Sequence, residues 1–215
     1  MYLELSEYKE RLGFDNEEFV NVYFADWTSK ELRGVSTFPW LEEAHSHQGG
    51  VSLKLQSFGL DDFSHDLVHE LGHALGLWHT FKGVEEMFCN DACLETEPSL
   101  ELGDLCEDTN PTNKNYECAE PSVSQFNCAL DNPGSTPFTN FMGYGSNDCV
   151  SEFTPQQVAR MHCYIDMKHK TWLESKAPSP VPLAPVVRPT PPSDRKQVVR
   201  WKRIFCRFLS KQRPV

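Results

Sequence analysis

The chain has 215 residues, a hydrophobic fraction of 39% and a formal net charge of −11, enough for one domain with a buried core plus appendages. It holds no apolar run of bilayer-spanning length and no charged-then-apolar leader at Met1, yet its eight cysteines point to an oxidising compartment, so a leader is expected upstream. The charge is unevenly placed: residues 1–175 carry 10 Lys+Arg against 30 Asp+Glu, and residues 176–215 carry 10 against 1.

In chain order, Leu3–Leu12 (LELSEYKERL) reads as a short amphipathic helix, with Leu5, Tyr8 and Leu12 near helical spacing. Phe19–Trp27 (FVNVYFADW), dense in β-branched and aromatic residues, reads as a buried strand. Leu32–Trp40 is expected to cross the sheet until Pro39 breaks it, and Gly49-Gly50 punctuates the chain. Val51–Phe58 (VSLKLQSF) alternates apolar with polar, as a strand covered on one face does. Standing just before the next helix, it is placed to pair with an extended peptide at a sheet edge, although an ordinary core strand carries the same pattern.

Then comes HELGHALGLWH, His69–His79. On a helix, H-E-x-x-H puts His69 and His73 one turn apart on one face, where both imidazoles reach one zinc ion. Glu70 is then placed to deprotonate a zinc-bound water. The short motif also arises by chance in polar or buried helices. Its continuation to Gly76 and His79 completes H-E-x-x-H-x-x-G-x-x-H. A helix that ran on would carry position 79 away from the metal. Gly76 tolerates the left-handed conformation that ends a helix, so His79 can return as a third nitrogen ligand and leave zinc's fourth position open. Leu67, Val68, Leu71 and Leu75 supply the apolar side, with Ser64 or Asp66 as the cap.

From Phe81 to Pro137 the periodicity fades, and Cys, Asp, Glu, Asn and Pro dominate. Gly103-Asp104 and Asp108-Thr109 set hard oxygen ligands close together, as calcium prefers; a solvated acidic loop reads the same way, and the spacing is not that of an EF-hand. Asn140-Phe141-Met142-Gly143-Tyr144 alone would be core filler. Downstream of the long zinc motif it fits the Met-turn of the metzincin pattern, with the Met142 sulfur as an apolar floor under the imidazoles and the Tyr144 phenol near the reacting centre. Thr154-Pro155-Gln156-Gln157 starts a helix with an N-cap, a first-position proline and a capping-box glutamine; Val158, Met161, Ile165 and Trp172 form its apolar side. Prolines recur from Ala177 to Pro192 as an extended linker. Arg195–Val215 is a basic, aromatic tail with no core to join, or a segment for anionic surfaces. His45, His47, His65, His162 and His169 read as surface or packing residues.

Taken together, these motifs make residues 1–175 resemble the catalytic region of the pappalysins, a metzincin group. The resemblance extends over Leu77-Trp78-His79-Thr80-Phe81, Glu95-Thr96-Glu97-Pro98-Ser99, Gly103-Asp104-Leu105-Cys106, Asp108-Thr109-Asn110-Pro111, Asn140-Phe141-Met142 and Phe153–Cys163. It implies an α+β, zincin-like (metzincin) catalytic domain with a mixed sheet, zinc helix, Met-turn and C-terminal helix. It implies a secreted zinc-dependent metalloendopeptidase acting on extracellular proteins, in the best-known members the insulin-like growth factor binding proteins, with no nucleic-acid partner.

By the same resemblance His69, His73 and His79 are the ligands of one catalytic zinc, Glu70 is the general base and acid, and Tyr144 stands beside the metal. Met142 and Gly76 are structural, and calcium is held by Asp104, the Glu107 carbonyl and Thr109. Disulfides would join Cys118 to Cys149 and Cys93 (or else Cys89) to Cys128. Little chain precedes the first strand, so part of the family's upstream subdomain is expected to be missing. Residues 176–215 are expected to form a disordered Pro-rich linker and basic tail. Two other readings stay open: a truncated, inactive fragment acting as a binding protein, and an adaptor working through residues 195–213.

Overall fold

A computed structural model of the chain describes residues 5–14, 16–26, 32–57, 65–82, 99–120 and 136–174. The expected Cys93–Cys128 pairing, the Ser64 cap, the linker and the tail lie outside these residues.

Three short strands form the described sheet: β1 Val22–Ala25, β2 Gly34–Ser36 and β3 Val51–Lys54, in the order β1-β3-β2. β1 runs parallel to β3, with Val22 opposite Val51, and β2 antiparallel to it, with Ser36 opposite Val51. The sheet is mixed, as expected. One expectation for Val51–Phe58 fails, however. The strand ends at Lys54 and continues as a 3₁₀ turn, Leu55–Ser57. Val51, Ser52 and Leu53 are all 0% exposed, so β3 is covered on both faces. It is also hydrogen-bonded on both edges, and no peptide can add to it. Among the described residues β1 and β2 are the edge strands.

The sheet stacks on helix α2, Asp66–Ala74. Leu67, Leu71 and Ala74, spaced i, i+4, i+7, bury against Val51, Leu53, Val22 and Phe24. No side chain caps α2 at its first position, His65. The Asp66 carboxylate is instead held at 3.1 Å by Arg33 and accepts a 2.8 Å bond from Ser57 Oγ.

Helix α1, Leu5–Leu12, forms where expected but with another face inward. Leu12 is 57% exposed, whereas Lys9 is 6% exposed. The long alkyl stem of Lys9 crosses the apolar zone and its Nζ donates to Gln48 O at 2.7 Å; burial lowers its pKa to about 8.

Helix α3, Pro155–Lys168, begins with the full capping box: Thr154 Oγ1 accepts from Gln157 N and Gln157 Oε1 from Thr154 N. Met161, Ile165 and Trp172 are half-buried, as expected, but Val158 is 38% exposed while Gln157 is 1% exposed, for a reason that lies in the Met-turn. The helix also breaks at His169, and α4, Lys170–Glu174, follows. There Trp172 stacks on His169, with centroids 3.8 Å apart, and donates from Nε1 to Asn16 O. Cys118 and Cys149 are joined, with Cα atoms 5.6 Å apart; Cys106 is buried and Cys163 is an exposed free thiol. No helix among the described residues is long and apolar enough to cross a membrane.

Candidate active site

The chain leaves α2 through the turn that glycine permits. Gly76 N bonds His73 O and Leu77 N bonds Gly72 O, both at 2.9 Å, and Gly76 has φ +92°. This is the Schellman pattern, with the left-handed residue just past the helix. It brings His79 back over α2. The Nε2 atoms of His69, His73 and His79 form a triangle with sides of 3.1, 3.2 and 3.0 Å. Nitrogens bound to one tetrahedral zinc at about 2.0–2.1 Å stand roughly 3.3–3.4 Å apart, so the triangle fits that ion.

The tautomers fit as well. His69 Nδ1 lies 2.6 Å from Phe141 O and His73 Nδ1 2.8 Å from Leu77 O. A carbonyl can only accept, so each Nδ1 carries the proton and each Nε2 presents its lone pair. Burial lowers the pKa of His69 and, more strongly, that of His79, the direction that favours an unprotonated Nε2. Among the described residues these three histidines form the one cluster of three or more His, Cys, Asp or Glu donors close enough for a metal ion.

The surroundings hold the rings. Phe38 meets the His73 ring edge-on at 5.3 Å and Phe81 stacks on His79 at 4.6 Å. Met142 is 0% exposed. A Cβ on Gly72 would lie 2.3 Å from its sulfur, so that glycine lets the Met-turn press against the backbone of α2. Thr80 N donates to Met142 O, and Gly143 N to Asn140 O closes the turn. Asn140 and Gln157, each 1% exposed, pair amide to amide at 2.8 and 3.2 Å, and Asn140 Oδ1 also accepts from Met142 N. This pairing is why Gln157, and not Val158, turns inward. Tyr144 is 37% exposed, with its ring centroid 4.9 Å from that of His79 and 5.9 Å from that of His69.

Glu70, 7% exposed, lies under β2. Ser36 Oγ donates to its Oε2 at 2.7 Å. Burial pushes the Glu70 carboxyl up to about 8, against the pull of the Ser36 bond.

Asp104 is 1% exposed, and burial raises its carboxyl to about 7 against its bonds to Thr109 and Cys106. Thr109 Oγ1 stands 2.8 Å from Asp104 Oδ1, Asp104 Oδ2 and Cys106 O alike. One hydroxyl hydrogen cannot serve three acceptors, so the oxygens outnumber the protons, a donor set that suits a hard cation. The Glu107 side chain is exposed, and its N–H bonds Gln156 Oε1.

Ser36 and Gly34 were not singled out by sequence reasoning. A glycine inside a strand marks a close backbone approach, and that signal would have found Gly34. Ser36 carries no comparable mark.

A zinc helix under a mixed sheet, a returning third histidine and a methionine floor define a metallopeptidase domain of the metzincin class. The comparisons with known proteins narrow this. The Peptidase M43 family model, described as "Pregnancy-associated plasma protein-A", matches residues 6–166, and the chain belongs to that family. Pappalysin-1 of Homo sapiens is 46% identical over 187 residues, covering 86% of this chain and 12% of that protein. An extracellular metalloprotease of Verticillium alfalfae is 32% identical over 153 residues, 67% of this chain and 49% of that protein. The structure of Tannerella forsythia mature mirolysin in complex with a cleaved peptide matches with TM-score 0.55 and 25% identity, over 74% of this chain and 57% of that one. The chain thus spans about one eighth of the length of the pappalysin-1 relatives.

Proposed function

We propose that this chain is a zinc-dependent metalloendopeptidase that cleaves extended segments of extracellular proteins. The observation that carries this reading is the triangle of His69, His73 and His79 Nε2 atoms, with the buried Glu70 next to His69 on α2. Zinc bound there would supply Lewis acidity and a water that ionises near neutral pH. Glu70 accepts the proton of the attacking water and returns it to the leaving amine. The Tyr144 phenol donates toward the oxygen on which charge develops. Leu77 O and Phe141 O hold the His73 and His69 rings throughout.

The substrate backbone adds to the edge of β2 away from β3, which pairs with no strand among the described residues, by main-chain pairing. The extracellular setting rests on the relatives and the Cys118–Cys149 disulfide. Insulin-like growth factor binding proteins are the substrates to test first, on the likeness to pappalysin-1.

The direct test is metal content together with cleavage of an unstructured protein. We expect one zinc per chain and internal cleavage. His79→Ala should release the zinc and abolish turnover; full zinc occupancy in that variant would remove His79 from the ligand set. Cleavage-free binding of the substrate by the zinc-loaded protein would favour the binding-protein alternative.

We propose further that the oxygen cluster of Asp104 and Thr109 takes a structural calcium, with the Glu107 carbonyl as a third ligand. Asp108 caps α3 through Thr154 Oγ1 and Gln156 N at 2.6 and 2.9 Å, so the loop is joined to the helix that carries Gln157. Chelation that strips calcium but spares zinc should lower both melting temperature and turnover, and Asp104→Ala should do the same. Unchanged melting and turnover at constant zinc would leave the loop a hydrogen-bonded turn only.

A further inference from the structure

Residues i and i+2 of a strand share a face, and on β2 those residues are Gly34 and Ser36. Both face Glu70. At Gly34 a Cβ would lie 2.5 Å from Glu70 Oε1, 2.6 Å from its Cγ and 2.8 Å from its Cδ, so only the bare glycine backbone leaves room for the carboxylate. Ser36 Oγ lies 2.7 Å from Glu70 Oε2 and 2.5 Å from Glu70 O. A serine hydroxyl has one hydrogen; it ties the strand to the carboxylate or to the backbone of the same residue, and either bond fixes where Glu70 sits. The strand itself is fixed by its ladder to β3, in which Ser36 faces the fully buried Val51. A glutamate has three rotatable side-chain bonds and a carboxylate buried beside a metal site has few partners. Here one oxygen lies against bare backbone and the other meets a hydroxyl.

We infer that the Gly34-Val35-Ser36 edge is a cradle for the general base, and that Ser36 is a positioning residue for peptide hydrolysis, acting through Glu70 and not on the substrate. The inference rests on the peptidase reading above. Ser36 holds the carboxylate in one rotamer facing the reacting centre. Without it the side chain samples orientations from which the proton cannot be taken, and proton transfer slows while substrate affinity and zinc affinity stay the same. A single hydrogen bond to a charged group sets the scale, about tenfold in rate.

The test compares Ser36→Ala and Ser36→Thr with the wild-type chain, all zinc-loaded. Turnover of a peptide is one readout; calorimetric binding of acetohydroxamate, whose hydroxyl hydrogen-bonds a neighbouring carboxylate when its oxygens bind zinc, is the other and needs no turnover. Ser36→Ala should lower kcat about tenfold with KM, zinc content and melting temperature unchanged, and weaken hydroxamate about tenfold. Ser36→Thr, which keeps the hydroxyl, should restore both. In a Glu70→Gln background Ser36→Ala should add nothing to either loss. A kcat within twofold of wild type, a loss confined to KM, or a loss that tracks zinc content would each overturn the role. A wild-type chain that binds hydroxamate in a Ser36-dependent way but cleaves nothing would refute the peptidase reading and leave the cradle standing. Ser36-independent binding would refute the cradle, whatever the turnover.

Discussion

Glu70→Gln should leave zinc content and melting temperature near wild type while peptide hydrolysis falls by a factor on the order of 10²–10⁴, the usual share of general acid–base catalysis. The amide is isosteric and fits between Gly34 and Ser36. Its oxygen can still accept the Ser36 hydroxyl bond. What it lacks is the basicity to take a proton from water. Since the donor cluster is made of His69, His73 and His79, without Glu70, the variant separates chemistry from assembly. Assay of kcat/KM beside metal analysis gives the result, and turnover retained at more than a tenth of wild type would take the base role away from Glu70. The same protein should still bind substrate along β2, which makes it the reagent for trapping one.

Gly76→Ala should be strongly damaging for a single-methyl change. Two costs combine. A left-handed conformation, here φ +92°, costs a residue bearing a Cβ about 1–2 kcal/mol. The new methyl would also lie 2.2 Å from the Tyr164 ring, and overpacking of that kind costs about 1–3 kcal/mol more. Relief requires the turn to open, and the turn is what carries His79. We therefore expect a lower melting temperature and, separately, weaker zinc binding measured by competition with a chelating dye. Destabilisation with undiminished zinc affinity would mean that His79 reaches the metal without this turn.

The zinc constellation was legible because its geometry is local. His69, His73, Gly76 and His79 fall within eleven residues, and helical period plus one glycine fixes where each points. The Thr154 capping box was legible for the same reason. Long-range relations were not. Whether β3 is central or at an edge depends on which strands flank it, and Val51–Phe58 carries no mark of its neighbours; alternation suggested one covered face, whereas Val51, Ser52 and Leu53 are all buried. Lys9 and Gln157 were not among the residues expected to face inward. Each is drawn inward by a partner, Gln48 O and Asn140, that lies far away in sequence. Ser36 was invisible for a similar reason, since its meaning comes from a glutamate 34 residues later.

Arg160 Nε donates to Gly76 O at 2.8 Å across 84 residues of sequence, Tyr164 covers the same glycine, and Gln157 holds Asn140 of the Met-turn. The zinc motif is therefore complete in sequence long before it is complete in space. During synthesis the histidines emerge first, on a helix whose end has nothing to brace it, and the brace is made among the last residues of the described domain. Closing so long a loop is slow compared with forming α2. A nascent or prematurely terminated chain that stops before Pro155 would carry every residue that touches the metal and still lack the site. The histidine triangle thus acquires its bracing only once the residues of α3 have been made.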